Sequence, residues 1–252
     1  MSARGRLLLF LPSAAGLLFL LLHGLHGLPG FGHYAGPYGF VLGGVGVGQR
    51  HATNLVTAVN FDYRAFDTLG EEFILFTATT GIVLILRQTR GERERPAPGD
   101  VRTAGASEAL RATAMALVAA LIVLGGYVVA HGALTPGGGF QGGVVLAGSA
   151  FVVFLAGETL AMKRIAPERL LELADAAGAA GFALLGIGGL VFAGAFFENF
   201  LDLGKPGSLN SAGTMPLVSI SIGIEVAGAF LLIWTEFLDQ ALLVRSAGSE
   251  AE

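Results

Sequence analysis

The sequence predicts an all-α, polytopic membrane protein with about six transmembrane helices. Of its 252 residues, 53% are hydrophobic and only 13% are charged, whereas a soluble globular domain carries about 25% charged residues. The mean hydropathy is +0.69. The apolar residues are gathered into runs of about 20 residues, which is the length that an α-helix needs to cross a bilayer.

Six segments have this length and character. They lie at about residues 7–28, 67–87, 110–130, 142–162, 171–197 and 215–238. The first segment follows two arginines, so a cleaved signal peptide is an alternative interpretation. No small-residue cleavage site follows it, and the remainder of the chain is polytopic, so we interpret it as a membrane helix.

The basic residues divide unevenly between the two sides that six spans define. Twelve lie on the side that holds both termini and the loops 88–109 and 163–170, and three lie on the other side. Since basic loops remain in the cytoplasm, we expect both termini to be cytoplasmic. The net charge of −4 does not favour nucleic acid as a partner.

Residues 89–109 form a natural boundary, because this stretch is rich in Arg, Glu, Pro and Gly and cannot bury a core. It separates a two-span part, residues 1–88, from a four-span part, residues 110–245.

The outer loop 29–66 is long. Its glycine-rich first half contains no nucleotide-binding fingerprint, and His51–Phe66 is mildly amphipathic and predicts a short helix.

A glycine-rich turn joins two of the predicted spans after His131. It consists of Pro136, Gly137, Gly138, Gly139, Phe140, Gln141, Gly142 and Gly143. Glycine lets neighbouring backbones approach closely, so we expect a tight junction that is buried against another protein. His131 itself can bond the exposed carbonyls of the turn, and a proton-relay role is the alternative.

Acidic residues inside apolar spans suggest function, and Glu225 is the clearest case because it lies near the centre of the sixth segment. It is expected either to line a proton or cation path or to fix helix packing through a hydrogen bond. The small residues Gly223 and Ala227 predict close helix packing around it in both cases.

A second set of ionisable residues begins the second span. Arg64, Asp67 and Glu71 would lie in a row on one helical face, where they could pass protons or attract cations. The alternative is an ordinary helix start with acids near its N-terminal dipole. Glu72 points elsewhere and is interpreted as a boundary charge.

The remaining acids and histidines suggest less. We expect Glu158 and Asp175 to pair with the cytoplasmic bases Lys163, Arg164 or Arg169. Glu198 and Asp202 are expected at the membrane interface. His23 and His26 have no evident third ligand, and the chain has no cysteine, so we expect no metal site, no disulfide, no Cys-bound cluster and no cofactor.

Three separated motifs occur in order between residues 110 and 240. They are the glycine turn after His131, the stretch Phe197-Glu198-Asn199-Phe200-Leu201 with Gly207–Pro216, and Gly223-Ile224-Glu225-Val226. Together they resemble the MnhB-type B subunit of multisubunit Mrp-type Na⁺/H⁺ antiporters. In that resemblance Glu225 matches the acid of the B-subunit motif.

The stretch Thr53–Thr57 with Phe61–Glu71 resembles a second module, covering about residues 50–88. That module is the C-terminal segment of the antiporter A subunit, which also occurs as the E-type subunit of membrane-bound hydrogenases. By this resemblance Glu71 matches an acid on the ion path. Glu72 departs from the pattern, in which an apolar residue follows the glutamate.

The resemblance implies a non-enzymatic accessory subunit in the cytoplasmic membrane of a bacterium or archaeon. Its expected partners are A-, C- and D-like antiporter subunits and the lipid bilayer, with Na⁺ and H⁺ as the transported ions. An alternative is a membrane subunit of an ion-pumping, hydrogenase-like redox complex related to respiratory complex I. A self-sufficient transporter is disfavoured, because the chain has no inverted repeat with paired broken helices.

Overall fold

The computed structural model describes residues 3–28, 30, 32, 36–86, 107–156, 162 and 164–249. Every regular element in these ranges is helical, which confirms the predicted all-α class. The elements are α1 (Ala3–His26), α2 (Tyr38–Arg50), α3 (Leu55–Ala58), a π-helical turn (Val59–Tyr63), α4 (Ala65–Leu86), α5 (Glu108–Ala130), α6 (Gly139–Leu155), α7 (Glu168–Phe192) and α8 (Met215–Ser249). Glu158 and almost all of the predicted linker lie outside the described residues.

The chain divides into two compact units, residues 1–42 and residues 43–252. The first unit contains α1, whose large apolar side chains are exposed on all sides; Leu8, for example, is 71% exposed. A helix that is apolar all round suits a lipid environment. The second unit contains the remaining transmembrane helices and every candidate site discussed below.

A helix is found at each of the six predicted segments, but their lengths differ. Four helices are long and apolar enough to cross a membrane, namely α4, α5, α7 and residues Met215–Ala241 of α8. The apolar parts of the other two are shorter, at Phe10–His26 and Gly139–Leu155. Helix α8 has 35 residues and continues beyond the predicted end at residue 238.

The loop predicted at residues 29–66 is largely helical. Its glycine-rich half forms α2, although each glycine costs a helix about 1 kcal/mol relative to alanine. The predicted short helix after His51 is confirmed as α3 and the π-helical turn. Asn54 caps α3, since its side-chain oxygen accepts hydrogen bonds from the backbone N–H groups of Val56 and Thr57.

Helix α8 forms the centre of the second unit and packs against α4, α6 and α7. The core along it is apolar and fully enclosed. It includes Phe182, Met215, Val218, Ile222 and Val226, each 1% exposed or less. Side chains packed at the density of an organic crystal gain van der Waals contacts, and these contacts stabilise the helical bundle.

The glycine turn packs against its own chain, so the expectation that another protein covers it is wrong for this face. A Cβ atom added to Gly139 would lie 2.2 Å from the carbonyl oxygen of Ser219 on α8. One added to Gly143 would lie 2.8 Å from the carbonyl oxygen of Gly223. Helices α6 and α8 can approach this closely only because α6 begins with glycines.

Residues 131–138 mark one end of the helical bundle, called the junction end below. Asn54 holds this turn by donating hydrogen bonds to the carbonyl oxygens of Gly132 (2.8 Å) and Thr135 (2.9 Å). The Thr57 hydroxyl donates to the same Gly132 oxygen at 2.6 Å. Residues on either side of the predicted linker are therefore joined through buried polar side chains.

Candidate ion-path site

Three acidic side chains from three helices are buried within the bundle. Glu72 of α4 is 3% exposed, Asp175 of α7 is 4% exposed and Glu225 of α8 is completely buried. Removing a carboxylate from water is costly unless a charge or hydrogen bond compensates it. Acids in such positions are therefore rare and require an explanation.

Glu72 and Glu225 face each other, and their carboxyl groups are close enough to interact electrostatically. A carboxylate can only accept a hydrogen bond, so the two groups can bond to each other only when one of them carries a proton. No other donor among the described residues reaches either oxygen of Glu225 or the Oε2 atom of Glu72. The pair is therefore arranged so that it can share one proton in an otherwise apolar environment.

Asp175 lies within electrostatic range of both glutamates. Its Oδ1 atom is buried and has no hydrogen-bond partner among the described residues. Neither Arg164 nor Arg169 forms an ion pair with Asp175, and Lys163, the third predicted partner, lies outside the described residues. The carboxyl group of Asp175 instead faces the bundle interior.

Small residues enclose these acids by bringing α7 and α8 together. A Cβ atom on Gly178 would lie 2.5 Å from the backbone nitrogen and Cβ of Glu225. One on Gly228 would lie 2.8 Å from the backbone nitrogen of Asp175. Glu225 therefore lies level with Gly178, and Asp175 lies level with Gly228.

The three acids lie at increasing depth from the junction end. Glu72 is seven residues into α4 and Glu225 is ten residues into α8, which correspond to about 10 Å and about 15 Å of helix. Asp175 is level with Gly228, about one turn further along α8. The order from the junction end is thus Glu72, Glu225, Asp175.

A cavity of about 260 Å³ opens at the junction end and reaches Glu72. Its wall combines the π-helical turn, the start of α4 and the glycine turn. The lining includes the polar residues Thr57, Asn60, Thr68, Glu71, Glu72 and Gln141. Glu71 is exposed and Glu72 is buried, so the two neighbours occupy the edge and the base of the same cavity.

The interpretation of Glu72 as a boundary charge is wrong, because its side chain is 3% exposed and contacts Glu225. Sequence reasoning chose Glu71, and only the packing of α4 on α8 distinguishes the two neighbours. One signal was available: the second glutamate stands where the related pattern has an apolar residue. A glutamate at a normally apolar position within a membrane span is expected to face protein and not lipid.

The predicted row at the start of α4 is only partly assembled. Arg64 and Asp67 form an ion pair, but their side chains are 58% and 50% exposed. They do not contact the buried acids. An exposed pair of this kind contributes at most about 1 kcal/mol to stability.

His131 ends α5 at the glycine turn, as predicted. Its ring stacks on Tyr127, with ring centroids 4.1 Å apart. The Nδ1 atom is buried and has no hydrogen-bond partner among the described residues. The structure does not bring His131 together with Glu72 or Glu225.

A second polar cluster lies at the junction end, on Asp62 of the π-helical turn. Arg50 pairs with this carboxylate at 2.6 Å, and Asn199 donates to it at 3.4 Å. Burial raises the pKa of Asp62 above its ordinary value, and Arg50 and Asn199 offset only part of that effect. Asn199 also receives the Thr214 N–H, so this cluster fastens the loop between α7 and α8.

No group of three His, Cys, Asp or Glu side chains in the described part of the chain is arranged to hold a metal ion. The chemistry available at the buried site is therefore proton exchange between carboxyl groups and attraction of a cation.

Glu198 and Asp202 are exposed in the loop before α8, as expected of interfacial residues.

Comparisons with known proteins give a consistent assignment. Residues 109–232 match the family model of a domain related to the MnhB subunit of Na⁺/H⁺ antiporter. An uncharacterized protein of Methanocaldococcus jannaschii, MJ1307, is 30% identical over 205 residues, which cover 71% of this chain and 76% of that protein.

Two solved structures have similar folds. One is a chain of the membrane-bound sulfane sulfur reductase, an archaeal respiratory membrane complex, with a TM-score of 0.68 and 29% identity over 92% of this chain and 98% of that chain. The other is a chain of the Mrp complex from Dietzia sp. DQ12-45-1b, with a TM-score of 0.66 and 23% identity. The latter match covers 94% of this chain and 26% of that longer chain.

Proposed function

The chain belongs to the MnhB-related family, and we propose that its buried carboxyl groups form part of the ion path of a multisubunit Na⁺/H⁺ antiporter. Within such a complex the chain is a multi-pass membrane subunit and not an enzyme. The observation that carries the proposal is the convergence of Glu72, Glu225 and Asp175 without a cationic partner among the described residues.

The chemistry supports a path better than a packing role. Glycine or alanine would satisfy helix packing at lower cost than three buried acids. A shared proton between Glu72 and Glu225 can be passed on only if the hydrogen bond is remade with a neighbouring group or water. Asp175, one turn deeper, is the next acceptor in that sequence.

We further propose that the junction end faces outwards and that both termini are cytoplasmic. Twelve of the fifteen Lys and Arg residues fall on the side of the termini under this arrangement, as the distribution of basic residues in membrane proteins requires. The cavity would then open to the outside, and the buried acids would lead inwards from it.

Residues 1–88, 89–109 and 110–245 are proposed to act as an A-subunit-like or E-type module, a cytoplasmic linker and a B-subunit-like domain. The hydrogen bonds from Asn54 and Thr57 to residues 132 and 135 support this fusion, since they hold the two modules in one register. A-, C- and D-like subunits are the proposed partners for the apolar surface that remains exposed.

The test is antiport by the purified, complete complex in proteoliposomes, with Glu225→Gln, Glu72→Gln and Asp175→Asn compared with the wild type. These substitutions keep the size of the side chain but remove its exchangeable proton. We expect Glu225→Gln and Glu72→Gln to reduce exchange to near background and Asp175→Asn to reduce it substantially.

Glu172→Gln is the matched control, because Glu172 lies on the same helix as Asp175 but is exposed. Glu71→Gln discriminates between the neighbouring glutamates and is expected to lower exchange less than Glu72→Gln, because Glu71 is exposed at the edge of the cavity. Normal assembly with full exchange in the Glu225→Gln and Glu72→Gln variants would reduce the buried acids to packing residues.

A redox-driven ion pump is the second candidate, favoured by the 29% identity to a chain of the sulfane sulfur reductase complex over 92% of this chain. The antiporter and the redox-driven pump would use the same ion path but would contain different partner subunits. Purification of the tagged complex separates them: copurifying Cys-rich proteins with iron and labile sulfide would favour the pump, and A-, C- and D-like subunits without iron would favour the antiporter.

A further inference from the structure

The cavity at the junction end is large enough to hold a cation together with several water molecules. Its volume of about 260 Å³ exceeds the share of several water molecules, each of which occupies about 30 Å³ in the liquid. Two acids, Glu71 and Glu72, contribute to its lining, and none of the described Lys or Arg residues does. A cavity lined by one sign of charge between apolar walls concentrates the opposite ion.

Two amide side chains line the opening of the cavity and form no hydrogen bond that supports the described part of the fold. Asn60 and Gln141 are both exposed and both line the cavity, and neither side chain forms a hydrogen bond within the described residues. Asn60 lies in the π-helical turn, a distortion that is frequent at functional sites. Amide oxygens bind hard cations without themselves changing charge.

At the base of the same cavity, the Oε2 atom of Glu72 is buried without a donor among the described residues. Glu71, Glu72, Asn60 and Gln141 thus contribute oxygen-bearing side chains to the lining of one cavity, beside apolar residues. Oxygen donors of this type replace the hydration shell of an entering ion.

We propose that this cavity binds a partly dehydrated monovalent metal cation, with Asn60 and Gln141 as neutral ligands at the opening and Glu72 as the charged group at the base. This inference rests on the proposed function, because it makes the cavity the cation-binding step before the buried acid pair. Asn60 and Gln141 determine cation affinity, whereas Glu225 determines proton exchange.

The experiment measures Na⁺-dependent exchange by the complete complex in proteoliposomes. Asn60→Leu and Gln141→Leu each remove one oxygen with little change in volume. We expect the half-saturating Na⁺ concentration to rise about tenfold, the effect of losing one contact to a charged group, while the maximal rate is retained.

Asn60→Asp and Gln141→Glu provide a prediction of opposite sign, since an added negative charge lowers the half-saturating Na⁺ concentration. Val56→Ile is the matched control, because Val56 lines the cavity but supplies no side-chain oxygen. Since Asn60 and Gln141 are exposed, none of these substitutions disturbs the packed core.

The outcomes separate the two proposals. An unchanged half-saturating Na⁺ concentration in all four amide variants would overturn the cation site, even if Glu225→Gln abolishes exchange. Shifted Na⁺ affinity with unaltered exchange in Glu225→Gln would keep the cation site and overturn the acid path. A change in proton dependence alone would make the cavity a water-filled proton entrance.

Discussion

Two glycine-rich stretches of this chain have similar composition and opposite surroundings. In residues 132–143, added Cβ atoms on Gly139, Gly142 and Gly143 would all lie within 3 Å of backbone atoms on other helices. In α2, by contrast, the positions of Gly43, Gly44 and Gly48 have no neighbour within 4 Å, and a Cβ atom on Gly46 would meet only the end of the Leu55 side chain. Glycine content alone therefore does not show that a helix packs closely. Close packing is shown by how near each glycine lies to the backbone of a second helix.

Among substitutions that test this contrast, we expect the largest loss of stability at Gly139. Gly139→Ala places a methyl group 2.2 Å from the Ser219 carbonyl oxygen, so α6 and α8 must move apart. We expect a loss of about 3 kcal/mol or more in the free energy of unfolding, measured as loss of assembled complex and a lower thermal midpoint. Gly148→Ala, in the same helix but with open space, is the control and should be tolerated.

A smaller loss is expected at Asn54, which holds the packed glycine turn from outside. Asn54→Ala removes a helix cap and the donors to Gly132 and Thr135, which should cost about 2 kcal/mol. Asn54→Asp keeps the capping oxygen but places an acceptor against the carbonyl oxygens of Gly132 and Thr135, so its thermal midpoint should not exceed that of Asn54→Ala. A wild-type midpoint in Asn54→Ala would show that the glycine turn is stable without this clamp.

The smallest effect, and one of opposite sign, is expected at Gly44. Gly44→Ala meets no atom within 4 Å and should stabilise α2 by about 0.5–1 kcal/mol, because alanine is the better helix former. The thermal midpoint of the complex should rise slightly or stay unchanged. Loss of assembly would contradict the contrast and identify this face of α2 as a contact with another subunit.

The sequence was sufficient for the fold class and for most helix positions, since an apolar run of bilayer length is a strong local signal. The predicted segment 110–130 corresponds to Glu108–Ala130 and 67–87 to Ala65–Leu86. Helix α2 was missed because glycine lowers local helix propensity, and the contacts that support its end, such as the Arg50–Asp62 pair, join residues 12 positions apart.

The candidate site was less predictable for a related reason. Glu225 was identified because a single acid stands out in an apolar span. On α4, Glu71 was chosen as the ion-path candidate instead of Glu72, since α4 is apolar around most of its circumference and periodicity does not define its inward face. Asp175 was assigned to a surface pair because the close approach of α7 and α8 at Gly178 and Gly228 depends on tertiary packing.

The length of α8 has a mechanical consequence. Its 35 residues make a rod of about 52 Å, whereas the hydrocarbon layer is about 30 Å thick. Glu225 and the turns of α8 that extend beyond the lipid therefore belong to one continuous helix, so that any tilt of the projecting turns would also displace the carboxyl group.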